Sequence, residues 1–291
     1  MSLKEYIKEK RPSLSKSSIS TYDSILRGLY RRVFGEGDID VNDYEKSDEI
    51  LKDISTVPSN KRKTILSALV VITDNKEYRK KMLEDIKAYN KHTEKQEKTE
   101  EQEESWIEKD DIDKLYSILT KNASILYKKK ELSMTDLQEI QSYIILSILG
   151  GVYIPPRRSK DYVDFKIKDI NIDTDNYMTK DKLIFNSYKT AKTYGKQEID
   201  LPKQLRTILL KWIKVNPTDY LLFDVNNKPL SNVKLTQRLN KLFNKKVSVN
   251  QLRHTYLTEK YGGTIETNNN LKEDMTKMGT SLIQEKTYIK K

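Results

Sequence analysis

Cysteine is absent from the chain, which excludes disulfide frameworks, thiolate metal sites and a cysteine nucleophile. Histidine is almost absent. His92 and His254 are the only two, too few and too far apart in the chain to suggest a histidine metal centre. No apolar run approaches the roughly 20 residues of a membrane span. Charges recur throughout the N-terminal segment, so no secretory leader is expected. A glycine-rich phosphate loop and an acidic metal cluster are missing too. Together these absences predict a soluble intracellular protein that needs neither metal nor nucleotide cofactor and does not engage a membrane.

What is present is charge. The 291 residues hold 54 Lys plus Arg against 43 Asp plus Glu, a formal net charge of +11. The excess is uneven, with an acidic stretch separating two basic regions. A positive body of this kind points to a polyanion, and nucleic acid is the first candidate. Lysine far outnumbers arginine, however, and Asn, Ile and Tyr are plentiful. Codon bias in an AT-rich genome would produce the same composition, so charge alone does not decide the partner.

The length suits one large or two modest domains. The N-terminal third reads as helices. Ser17 or Ser18 can cap a segment with Tyr22, Ile25, Leu26, Leu29 and Tyr30 on one face. A second helix after Ser59 carries Ile65, Leu66, Leu69 and Val70, and a third begins near Asn75. Residues 92–105 (HTEKQEKTEEQEES) have almost nothing to bury. They are a solvated helix extension or a flexible linker, and either way a boundary. The expected division is 1–91, a helical domain; 92–105, an acidic linker; and 106–291, a second domain.

In that second domain, Asp110 or Asp111 can cap a helix. Ser133 and Asp136 form a capping-box-like start, and Gly150–Gly151 ends the apolar helix that follows. From Phe165 to Pro202 the period changes to alternation. KLIFNSYK and QEIDLP predict a hairpin inside a small three-stranded antiparallel meander. Helices return at about 203–214 and 232–244, and Ser248 with Gln251 opens another. The fold class is therefore α+β, mainly helical.

Four stretches stand in a telling order: PPRRSKDYVDFKIKDI (155–170), LIFNSYKTAKTYG (183–195), VNQLRHTYLT (249–258) and MGTSLIQEKTYIKK (278–291). The chain resembles the tyrosine recombinases, the phage-integrase family, in a form similar to integrases of large eukaryotic DNA viruses and related mobile elements. The resemblance covers roughly 106–291 well, and the preceding helices look like the family's core-binding domain. It implies site-specific DNA cleavage and rejoining through a 3′-phosphotyrosyl intermediate. Arg158, with Asp161 three residues on, and Arg253, in Leu252–Arg253–His254–Thr255, would hold the transferring phosphoryl group. Lys189 would be the general acid, with Lys192 as the alternative, and Tyr288 the nucleophile. Just three residues follow Tyr288 in the sequence, which leaves little of the family's C-terminal tail.

Two positions depart from the family pattern. Asn250 stands where His or Lys is usual, and Thr280 where His or Trp is usual. Asn250 can donate a hydrogen bond to a phosphate oxygen but cannot relay a proton at neutral pH, and Thr280 can donate too, with a shorter reach. His254 would support the site rather than act in catalysis. Arg157 lacks the three-residue spacing to an acid and is expected to touch a DNA phosphate or solvent. Arg31, Arg32, Lys61, Arg62 and Lys63 are expected phosphate contacts in the first domain. The resemblance further implies double-stranded DNA as partner, held in a clamp between the two domains, and self-assembly from dimer to tetramer on it. Two other readings stand beside this one: a type IB topoisomerase, and a non-catalytic DNA-binding protein on a decayed recombinase scaffold. A helical protein unrelated to DNA would require all four matches to be accidental.

Overall fold

The computed structural model describes residues 1–94 and 97–278. The chain divides into two compact units, Met1–Glu97 and Lys98–Lys291. Each has its own apolar core.

The first unit is all helical: α1 (Leu3–Lys10), α2 (Lys16–Phe34), α3 (Ser47–Asp53), α4 (Ser59–Thr73) and α5 (Lys76–Glu94). Leu26 and Leu29 of α2, Leu66 and Leu69 of α4, and Tyr78 of α5 are fully buried together with Tyr44. These are the stripes expected from the sequence. The cap of α2 differs. Ser15, in extended conformation, accepts from the Ser18 amide at 3.1 Å, and both Ser17 and Ser18 share its hydroxyl. The helix therefore starts earlier than Ser17 or Ser18 predicts, because Ser15 is the first hydroxyl able to satisfy its free amides. Helix α1 has no counterpart in the sequence reading. Its apolar content is small, and a reciprocal Ser2–Glu5 capping box starts it.

The second unit opens with α6 (Glu100–Ser105), inside the expected acidic linker. A Thr99–Gln102 capping box starts this helix. Its end is anchored to the second unit: Ser105 Oγ lies 3.4 Å from Gln251 Oε1, and Lys245 Nζ donates to the Trp106 carbonyl at 2.8 Å. The lack of apolar side chains made this segment read as a spacer, but two hydrogen bonds at its end seat it.

Helices α7 (Lys109–Leu126) and α8 (Met134–Leu149) form the centre of this unit. The Ser133–Asp136 capping box is formed, and nearly every side chain from Ile140 to Leu149 is buried. At about 1.5–3 kcal/mol for each large apolar side chain removed from water, α8 is the main source of cohesion here. Asp110 and Asp111 lie in the first turn of α7, where they favour the helix dipole, and Glu108 is its N-cap residue.

Next come α9 (Lys160–Val163), β1 (Tyr177–Met178), β2 (Lys182–Phe185), the single turn α10 (Ala191–Tyr194) and β3 (Gln197–Asp200). The strands form one antiparallel sheet in the order β1-β2-β3, with Phe185 opposite Gln197 and Lys182 opposite Asp200. The sheet and its hairpin are as expected, but the polar turn between β2 and β3 contains α10. Helices α11 (Lys203–Val215), α12 (Asn232–Phe243) and α13 (Val249–Lys277) complete the unit. Trp212 of α11 is fully buried, donates to the Leu221 carbonyl at 2.8 Å and stacks on Phe223. The fold is thus mainly helical α+β with one small sheet.

Candidate active site

Burial of aromatic side chains positions the first arginine segment. After α8 ends at Gly150, the chain runs to Arg157–Arg158 and then makes the single turn α9. Tyr162 in that turn is fully buried against Phe165 and Phe185, with ring centroids 5.7 and 5.6 Å away. Pinning Tyr162 turns the preceding Asp161 inward, where only 1 % of its surface is exposed. One carboxylate oxygen of Asp161 accepts from Arg157 Nε at 3.0 Å, and the other has no partner among the described residues. Burial pushes this carboxyl above its ordinary range, opposed by the charges of Arg157, Arg158 and Arg253.

The second arginine enters from the start of α13. Leu252 and Val249 are buried there, and Thr255 Oγ1 donates to the Ile107 carbonyl at 2.5 Å. The expected Ser248–Gln251 capping box is half made. The Gln251 amide donates to Ser248 Oγ at 3.3 Å, but the Gln251 side chain faces Ser105 instead of reaching back. Arg253 is partly buried. Its ionisation is weakened first by that burial and then by the nearby positive charge of Arg158. The charges of Arg158 and Arg253, far apart in sequence, both act on Asp161, and that of Arg158 acts on Arg253. The Arg158 side chain makes no hydrogen bond or ion pair among the described residues, and the Arg253 guanidinium meets just the Asn250 side-chain oxygen at 3.3 Å. Guanidinium forks with unspent donors are suited to holding an anion.

Asn250 is exposed, with its oxygen turned to Arg253 and its amide hydrogens left to solvent. His254 is exposed and makes no hydrogen bond among the described residues, so its expected supporting role has no partner there. Lys189 and Lys192 are both exposed, on the connection between β2 and β3. Thr280 and Tyr288 lie outside the described residues.

Arg157 corrects its sequence-based assignment. Its side chain is 14 % exposed, bonded to Asp161 and to Gln197 Oε1 at 2.6 Å, with its guanidinium carbon 4.0 Å from the Phe185 ring centroid. These contacts and its low exposure turn the guanidinium into the fold, although donors remain on Nη1 and Nη2. Arg62 is corrected for the same reason. It forms a bidentate pair with Asp85 at 2.8 and 2.7 Å and donates to the carbonyls of Ser55 and Val57. Its role is to tie the start of α4 to α5. Arg32 pairs with Asp53, Arg31 with Glu36, and Lys63 lies over the Tyr89 ring, while Lys61 is exposed.

A linking position that sequence reasoning did not single out is Asn176. Its side-chain amide donates to the carbonyls of Asp161 (2.9 Å) and Ser187 (2.7 Å), and its oxygen accepts from the Ser187 amide at 2.8 Å. It staples the arginine segment to the lysine-bearing connection. No local pattern marks it, because all its partners are distant in sequence.

No protein-family model matches the chain, and no curated protein does. Solved structures do match. The structural likeness is to tyrosine recombinases. XerA recombinase matches at 15 % identity and a TM-score of 0.37, over 88 % of this chain and 81 % of that one. A lambda integrase tetramer bound to a Holliday junction matches at 13 % identity and a TM-score of 0.44, over 89 % and 69 %. XerH site-specific recombinase, bound to difH substrate in a pre-cleavage complex, matches at 12 % identity and a TM-score of 0.41, over 90 % and 83 %.

Among the described residues, no group of His, Cys, Asp and Glu is arranged to hold a metal ion. No helix there is long and apolar enough to cross a membrane.

Proposed function

We propose that the chain is a site-specific DNA recombinase that cleaves and rejoins duplex DNA through a 3′-phosphotyrosyl intermediate. What supports this reading is that Arg158 and Arg253, the two motif arginines, keep unspent donors while the charges of both act on buried Asp161. These are the residues at which the family motifs coincide. In the reaction, the phenolic oxygen of Tyr288 forms a bond to phosphorus and the bond to the 5′ oxygen breaks. Negative charge grows on the non-bridging oxygens, where two guanidinium forks stabilise it. Lys189 supplies the proton that the departing 5′ oxygen takes up, with Lys192 as the alternative donor. The phosphotyrosyl ester retains the energy for rejoining, so no nucleotide is spent. Strand exchange between two duplexes implies assembly from dimer to tetramer on DNA.

Burial limits the choice of nucleophile. The chain has 18 tyrosines. In Tyr44, Tyr78, Tyr116, Tyr127, Tyr143, Tyr153 and Tyr162, burial pushes the phenol above its ordinary range. Such phenols are poor attacking groups, and their role is to fill the core.

Covalent trapping on nicked duplexes from the ends of the element that encodes the gene tests the proposal. Wild type is expected to form an adduct that withstands denaturing electrophoresis, and Tyr288→Phe to form none. An adduct surviving in Tyr288→Phe would move the nucleophile to another tyrosine, with Tyr256 and Tyr261 of α13 next to be replaced. Relaxation of supercoils without site preference would favour the topoisomerase. Tight, site-dependent binding without an adduct would favour the non-catalytic binder, for which Asn250 and Thr280, the two departures from the family pattern, are the motivating positions.

A further inference from the structure

Arg157 is surrounded by the ends of the lysine-bearing connection. Phe185, over which its guanidinium lies, is the last residue of β2, and Gln197, to which it donates at 2.6 Å, is the first of β3. Its guanidinium carbon is also 4.9 Å from the ring centroid of Tyr188, the residue immediately before Lys189. Tyr188 in turn donates to the Gly195 carbonyl at 2.7 Å and so closes the far side of the loop. The remaining Arg157 contact, Nε to Asp161 at 3.0 Å, ties all of this to the turn that follows Arg158.

We propose that Arg157 is a positioning residue that clamps the 186–196 connection, with its general-acid lysine, against the segment that carries Arg158. A planar guanidinium suits the task because it stacks on two rings while its edge donates in two directions, which an ammonium group cannot reproduce. The clamp holds whether Lys189 or Lys192 is the acid, since both lie on the same connection. Its chemical consequence rests on the recombinase reading above; the clamp itself does not.

The test uses the full chain as wild type, Arg157→Lys and Arg157→Met, with two readouts. The first is amide hydrogen exchange. Residues 186–196 are expected to exchange about tenfold faster in both variants, with α8 and α11 unchanged. The second is adduct formation on two nicked duplexes, one ordinary and one with sulfur in place of the bridging 5′ oxygen. On the sulfur substrate the tyrosyl oxygen bonds phosphorus, the P–S bond breaks, and the thiolate leaves with the electron pair and without needing a proton. Both variants are expected to lose about 100-fold on the ordinary duplex and to recover most of it on the sulfur one.

Unchanged exchange in 186–196 would overturn the clamp. So would a loss that sulfur does not relieve, because Arg157 would then act on the phosphoryl group through Asp161. Faster exchange throughout the unit would reduce Arg157 to a stability residue and overturn it as well. If wild type forms no adduct on either duplex, the recombinase reading fails, and hydrogen exchange alone still decides the clamp.

Discussion

Gly151 shows how much one residue can decide. Its backbone is left-handed, with φ at 71°, and a Cβ placed there would come within 2.6 Å of the Tyr256 ring. Tyr256 lies one helical turn beyond Arg253, while Gly151 leads into the Arg157–Arg158 segment, so this contact seats the two arginine segments on each other. Gly151→Ala is expected to destabilise the second unit by about 1–3 kcal/mol through backbone strain and overpacking. Adduct formation should fall with it, because Arg253 moves with Tyr256. Urea denaturation beside the trapping assay checks this. A variant as stable and active as wild type would show that the ring moves aside without cost. Neither the left-handed backbone nor the ring beside it was legible in the sequence, where Gly150–Gly151 reads just as a helix stop.

Among the elements, α8 carries a pH dependence that its sequence already suggests. Asp136 accepts from Lys129 Nζ at 2.7 Å, and from the amide and hydroxyl of Ser133 at 3.0 and 2.8 Å. The Lys129 contact first, and Ser133 after it, hold the carboxyl down at about 2. An unfolded aspartate titrates near 3.9. A carboxyl lowered on folding adds stability that is fully present above the unfolded value and is lost as pH falls towards the folded one. Thermal melts should therefore show wild type losing part of its advantage over Asp136→Asn between about pH 4 and pH 2. A constant gap across that window would mean that the ionised carboxylate adds nothing to the cap. The Ser133–Asp136 box was legible because both partners lie within one turn. The Ser248–Gln251 pair has the same spacing, yet it is half made, since Ser105 and Gln251 meet from distant parts of the chain.

At the scale of the whole molecule, the net charge of +11 makes a statement about DNA binding that needs no atomic detail. If six to ten phosphates are contacted, affinity for duplex should fall by roughly 10³-fold or more between 50 and 200 mM salt. Fluorescence anisotropy at several salt concentrations checks it, and a flat response would remove the electrostatic basis for a DNA partner. The individual contacts are less evenly supplied than the sequence implies. Arg62 is held inside the first unit by Asp85, and Arg157 is turned inside the second towards Asp161 and Gln197, whereas Lys61 stays exposed.

The sequence by itself determined the longer helices with apolar stripes, the small antiparallel sheet that interrupts them, and the order of the two arginines, but not the short helices α1, α6 and α10. Apolar periodicity, local capping and motif spacing are properties of neighbouring residues, so they survive without coordinates. Tertiary structure alone decided that Arg158 keeps all its donors while Arg157 turns inward to Asp161 and Gln197, that Asn176 joins the arginine segment to the lysine connection, and that α6 belongs to the second unit. Each of those outcomes depends on which distant group reaches a donor first once the chain is packed, and the burial of Tyr162, Phe185 and Asp161 makes the result difficult to reverse.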